Sequence, residues 1–110
     1  MEQMKITDLT DEQISFQLIL HSGNARSSII QSLRAYKEGN KEEAAALIAK
    51  AEHDLSAAHD IHFQMIQKES SGEETAFSLL LMHAEDHLMS TLTMKELVKE
   101  LLDLFKTKNL

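Results

Sequence analysis

His83, Asp86 and His87 are the residues of this 110-residue chain whose types and spacing could do chemistry. His83 and His87 are four positions apart, so on a helix they lie about 40° from each other and share a face. Asp86 is displaced by about 60° from His83, onto a neighbouring stripe. The pair is open to three readings. Histidines at this spacing can bind zinc, although the chain has no His-Glu-x-x-His motif and no Glu-x-x-His of the di-iron kind. They can also be core histidines satisfied by hydrogen bonds. Or one can be a nucleophile, because a neutral imidazole nitrogen is available near pH 7 to accept a group covalently and release it. His87, one turn on, would then orient the nucleophile or help carry the charge of what it accepts. Asp86 is a separate matter. A carboxylate between Met82 and Met89 in a subunit interface needs a cation or a proton. If copies of Asp86 converge on a symmetry axis, a hard divalent ion would neutralise them. On an exposed face it is simply a solvated residue.

These residues follow four consecutive apolar ones, Leu79-Leu80-Leu81-Met82. Helix geometry spreads four such residues over every side, and a helix apolar all round is expected to be buried. The helix should run over about residues 73–106, opened by the capping-box pattern Ser71-x-x-Glu74. One stripe along it reads Leu80, Ala84, His87, Thr91, Met94, Val98, Leu101 and Phe105. A second reads Leu79, Met82, Asp86, Met89 and Thr93. Two seams mean two kinds of neighbour, and one is expected to meet another subunit.

Two further helices are expected before it, after a short lead-in over residues 1–9. Thr10-x-x-Gln13 is a capping box with Leu9 and Ile14 at staple positions, opening a helix over about residues 11–38. Gly39 stops it and Asn40 caps the next, over about residues 41–69. The second helix carries the stripe Ala44, Ile48, Ala51, Leu55, Ala58, His62 and Met65, whose small residues allow close approach of a neighbour. His21 falls on the first helix's stripe with Ile14, Leu18 and Ala25. His21 and His62 read as satisfied core histidines, and His53 and His59 carry no usable spacing. The expected fold is all-α: three long helices in an up-down-up antiparallel bundle, one domain spanning residues 1–110.

Composition agrees. Hydrophobic residues make up 43% but aromatics only 5%, which suits packed helices better than a sandwich, and no proline interrupts them. Without cysteine there is no disulfide framework and no thiolate metal site. The six methionines read as core filling. A net charge of −7 argues against a nucleic-acid binder and fits either solubility or a partner with a basic docking patch. No signal peptide or membrane-spanning run is evident, so the expected location is cytoplasmic.

The element His83-Ala-Glu-Asp86-His87-Leu88-Met89-Ser90-Thr91 resembles the signature of the lactose/cellobiose (diacetylchitobiose) class of enzyme IIA components of the bacterial sugar phosphotransferase system. Ser22-Gly23-Asn24-Ala25-Arg26-Ser27 resembles that family's first-helix motif. Ala58-His59, Ile66-Gln67-Lys68-Glu69 and Gly72-Glu73 resemble the end of its second helix and the following turn. The resemblance implies a three-helix protomer assembled as a homotrimer. It implies that His83 is phosphorylated by the histidine phosphocarrier protein, with His87 as auxiliary. The phosphoryl group would pass to a cysteine of the cognate IIB component, for uptake of a β-linked disaccharide that the chain itself does not bind. Asp86 would meet its symmetry mates around one Mg2+ on the threefold axis. Two positions depart from the pattern: Glu85 stands where the family usually has Gln, and His62 replaces a Gln in the second helix. The rival expectations are a non-catalytic regulatory trimer of the same descent, which Glu85 would favour, and a metal-storage bundle.

Overall fold

The computed structural model describes residues 4–75 and 77–110. A 3-10 turn, Ile6–Asp8, precedes three helices: α1 (Asp11–Lys37), α2 (Lys41–Ser70) and α3 (Leu79–Thr107). Each helix begins where a side chain accepts a free backbone N–H. The Thr10 hydroxyl accepts from Gln13 N–H at 3.2 Å, and the Gln13 side chain returns the bond to Thr10. Asn40 accepts from Glu43 N–H, and Ser78 from Leu81 N–H at 3.0 Å.

All three helices end alike. Gly39, Gly72 and Asn109 have positive φ, and the amide of each and the one after it fold back onto the last turn. Gly39 N–H reaches Tyr36 O at 3.0 Å and Asn40 N–H reaches Ala35 O at 2.9 Å; the same pattern recurs at Gly72-Glu73 and Asn109-Leu110.

This explains where the sequence expectation for α3 was wrong. Ser71 does not open a helix, because its hydroxyl donates to Lys68 O at 2.8 Å and so helps to close α2. Glu73 N–H is likewise spent on Lys68 O. The chain passes on to Ser78, and α3 starts six residues later than expected.

The direction of the helices follows from their contacts. Arg26 meets Ser90 and Tyr36 meets Phe105, so α1 and α3 run parallel. Glu52 meets Lys99 and His62 meets Glu85, so α2 runs against α3. The bundle is up-down-up and measures 52 × 24 × 21 Å. α1 lies in the middle, packed along both partners, while α2 and α3 meet each other much less. The lead-in is clasped to α2 by Gln64, which accepts from Ile6 N–H and donates to Met4 O.

The core contains Leu18, Ile29, Ala51, Ala58, Ala84 and Leu88, all essentially inaccessible. On the buried row of α2 Ala44, Ala51 and Ala58 recur between larger side chains, as the stripe required, but Ile61 takes the place given to His62. On α1, Ser22 is buried and His21 only half so. On α3 the buried row is Ala84, Leu88, Thr91, Val98 and Leu102, so Leu101 faces outward. The apolar run at the start of α3 is not buried on all sides within one chain: Leu79 is 81% and Met82 47% exposed. Only two neighbours are available, and neither reaches that side.

Candidate functional site

His83 and His87 lie on one face of α3, their ring centroids 6.1 Å apart and their planes inclined by 36°. His83 is exposed and His87 half-buried. Below them the stripe continues to Ser90, whose hydroxyl donates to His87 O, as does that of Thr91 at 2.7 Å. These local bonds fix the turn that carries the second histidine.

α1 supplies the other wall. Gly23 faces His87; a Cβ on Gly23 would lie 3.8 Å from His87 Nε2, an ordinary contact. One turn along α1, Arg26 Nη2 donates to Ser90 Oγ at 2.8 Å. Arg26 Nε is buried with no hydrogen-bond partner among the described residues. Burial pushes the pKa of His87 below the ordinary histidine value, and the Arg26 guanidinium and then His83 push it further down. A backbone hydrogen bond and the Asp86 charge oppose this without reversing it. At neutral pH His87 is therefore uncharged, with one ring N–H and one lone pair.

Glu85, the first departure from the family pattern, points elsewhere. Two positions along a helix are about 200° apart, so Glu85 stands on the far side of α3 from His83. There its Oε2 meets His62 Nε2 at 2.9 Å. The second departure is thus the partner of the first. The remaining histidines have other neighbours. His21 Nδ1 lies 3.6 Å from Asp54 Oδ1, too far for a hydrogen bond. His59 stacks on Phe63 with centroids 6.4 Å apart, and His53 is exposed.

Asp86 sits on the neighbouring face, exposed between Met82 and Met89. Among the described residues of one chain, no group of three or more His, Cys, Asp or Glu could hold a metal ion. Asp86 supplies hard oxygen donors of the kind Mg2+ takes, but one carboxylate per chain. Its exposed position leaves room for further ligands.

The residues that sequence reading did not assign are Arg26 and Ser90. One signal was present: Arg26 is the only Lys or Arg between Lys5 and Arg34, set among small residues. Its closeness to α3 is a tertiary fact that spacing along α1 does not contain.

Comparison with known proteins gives the family. The family profile described as "PTS system, Lactose/Cellobiose specific IIA subunit" matches residues 13–106. The chain is 90% identical, over all of both sequences, to the oligo-beta-mannoside-specific EIIA component of the phosphotransferase system of Bacillus subtilis (strain 168). It is 44% identical to the lichenan-specific enzyme IIA component of the same organism, over 86% of each chain. Its fold is similar to the crystal structure of the cellobiose-specific enzyme IIA from Bacillus anthracis, with a TM-score of 0.85 and 43% identity over 96% of this chain and 97% of that one. With a IIA family profile covering most of its length and a full-length relative at 90% identity, the chain belongs to the lactose/cellobiose-specific IIA family and is an enzyme of the phosphotransferase system.

Proposed function

We propose that the chain is a cytoplasmic phosphoryl carrier in which His83 is the covalent acceptor and His87 its auxiliary. Family membership implies the two exchange partners, the histidine phosphocarrier protein and a IIB component. No helix of the described residues is long and apolar enough to cross a membrane. The observation that carries the residue assignment is an exposed His83 beside a half-buried His87 that is held neutral.

In the reaction, a lone pair of one His83 ring nitrogen forms a bond to phosphorus as the donor's N–P bond breaks. The proton on the far nitrogen of each ring stays in place, and the site gains the negative charge of the phosphoryl group. Such a transfer asks for positioning and charge stabilisation. A rigid helix provides the first. His87, with one N–H free to donate, contributes to the second.

The protomers assemble as a trimer through the exposed row on α3, with Asp86 of each chain as ligand to one Mg2+ on the axis. The ion would neutralise the converging carboxylates; it takes no part in the transfer. The sugar is a β-linked oligosaccharide: the relatives at 90% and 44% identity are named for oligo-beta-mannosides and for lichenan. Glu85, the residue that would favour a purely regulatory role, is paired with His62 away from the histidines.

The test is transfer from the phosphorylated carrier protein to wild type, His83→Ala and His87→Ala, read by intact mass. An acid-labile phosphate lost completely in His83→Ala and only slowed in His87→Ala is the expected result. A His83→Ala chain that still takes the phosphate would sink the assignment. For the sugar, uptake assays with mannobiose, cellobiose and lactose in a strain lacking the chain should show the mannobiose route lost first.

A further inference from the structure

We propose that Arg26 supplies the fixed positive charge that receives the phosphoryl group on the histidine pair. The inference rests on the assignment of that pair given above and deepens it.

Arg26 is held against the turn of α3 that carries His87. Its Nη2 is anchored on Ser90, the next residue of the stripe that carries His83 and His87. On α1 it stands one turn from Gly23, the residue that faces His87 Nε2. A guanidinium has five donors in a rigid fork, the shape that grips phosphoryl oxygens two at a time. Here one donor is spent on Ser90, and the buried Nε is spent on nothing.

The charge itself is also unmatched. Among the described residues no carboxylate lies within ion-pair distance of Arg26. An unpaired cation that is half-buried beside a histidine is unfavourable in the resting chain. A position needing only bulk between α1 and α3 would be better filled by an apolar side chain. The arrangement becomes favourable when an anion arrives, because then the site gains negative charge and the guanidinium has its partner. Donors placed in advance need no reorganisation at the moment of transfer. The other charged or titratable groups acting on His87 are His83 and Asp86, both on α3. Arg26 is thus the cation that α1 brings to the site.

The experiment compares wild type, Arg26→Gln, Arg26→Lys and Ser90→Ala for the rate of phosphate uptake from the phosphorylated carrier protein. Each variant is checked for wild-type helicity and melting. Loss of the charge in Arg26→Gln should lower kcat by ~10²–10³-fold, the loss typical of one removed oxyanion donor. Arg26→Lys keeps the charge but not the fork, so it should recover part of the rate. Ser90→Ala frees the fork but keeps the charge, so the effect should be only a few-fold.

Equal rates for wild type and Arg26→Gln, both phosphorylated on His83, would overturn this inference alone. So would an equal loss in Arg26→Gln and Arg26→Lys, since that pattern belongs to a packing role and not to a charge. A wild type phosphorylated at another residue would overturn the site assignment as well.

Discussion

At the scale of single residues, two histidines of this chain have opposite neighbours. His87 has a cation beside it and His62 a carboxylate, 2.9 Å away. The consequence for His87 has a definite sign. Its folded-state pKa lies below the unfolded value of about 6.5, so between the two the unfolded chain binds more protons. Stability should therefore rise with pH across the window just below about 6.5 and owe nothing more to His87 above it. Urea unfolding from pH 5 to 8 should show this slope in wild type and a shallower one in His87→Ala; identical profiles would remove His87 as its source. The Glu85–His62 contact is half-exposed, and a double-mutant cycle should return a coupling of ~0.2–1 kcal/mol. Because Glu85 faces away from His83, Glu85→Gln should keep phosphoryl transfer within a few-fold of wild type. A large gain in rate would mean that the carboxylate does reach the site.

At the scale of the helices, ends were legible wherever one signal stood alone. Thr10 with Gln13, Asn40 with Glu43 and the glycine at 39 each had no competitor, and α1 and α2 begin and end within a residue of expectation. The start of α3 was misread because Ser71 and Ser78 both have the composition of a cap. Which one acts depends on how α2 closes, and that is decided by the left-handed Gly72. Ser78→Ala should cost about 1 kcal/mol. Ser71→Ala should cost less, since its hydroxyl joins a C-terminus already closed by backbone bonds. Chemical denaturation of both variants checks the order. Gly23 is helical and has room for a methyl group, so Gly23→Ala should stabilise the chain by about 0.5–1 kcal/mol. Destabilisation instead would show that the His87 ring needs that space. The histidine pair was legible because i and i+4 is a local relation. Arg26 was not, because its partner Ser90 is 64 residues away.

At the scale of the whole molecule, the exposed row on α3 runs from Leu79 through Met82, Asp86, Met89 and Thr93 to Leu97, Leu101 and Leu104. Leu97 is 61% and Met89 53% exposed, which a lone protomer has no reason to maintain. Phe16 and Leu20 on α1 are exposed as well. In the proposed trimer Asp86 is the one charge on the α3 seam between Leu79 and Thr93. Asp86→Leu should then keep the assembly or tighten it, as removing converging carboxylates from an apolar seam can do. Sedimentation with and without a chelator should show metal sensitivity in wild type and none in Asp86→Leu; an ion still bound by the variant would place the metal elsewhere.

The central position of α1 has a consequence of its own. α1 is shielded along both flanks, whereas α2 and α3 each lean on it and little on each other. Opening the bundle by swinging out either outer helix leaves α1 half covered, but no such excursion uncovers it fully. In the proposed trimer α3 also leans on its copies, so in amide exchange α2 should take up deuterium first and the middle of α1 last.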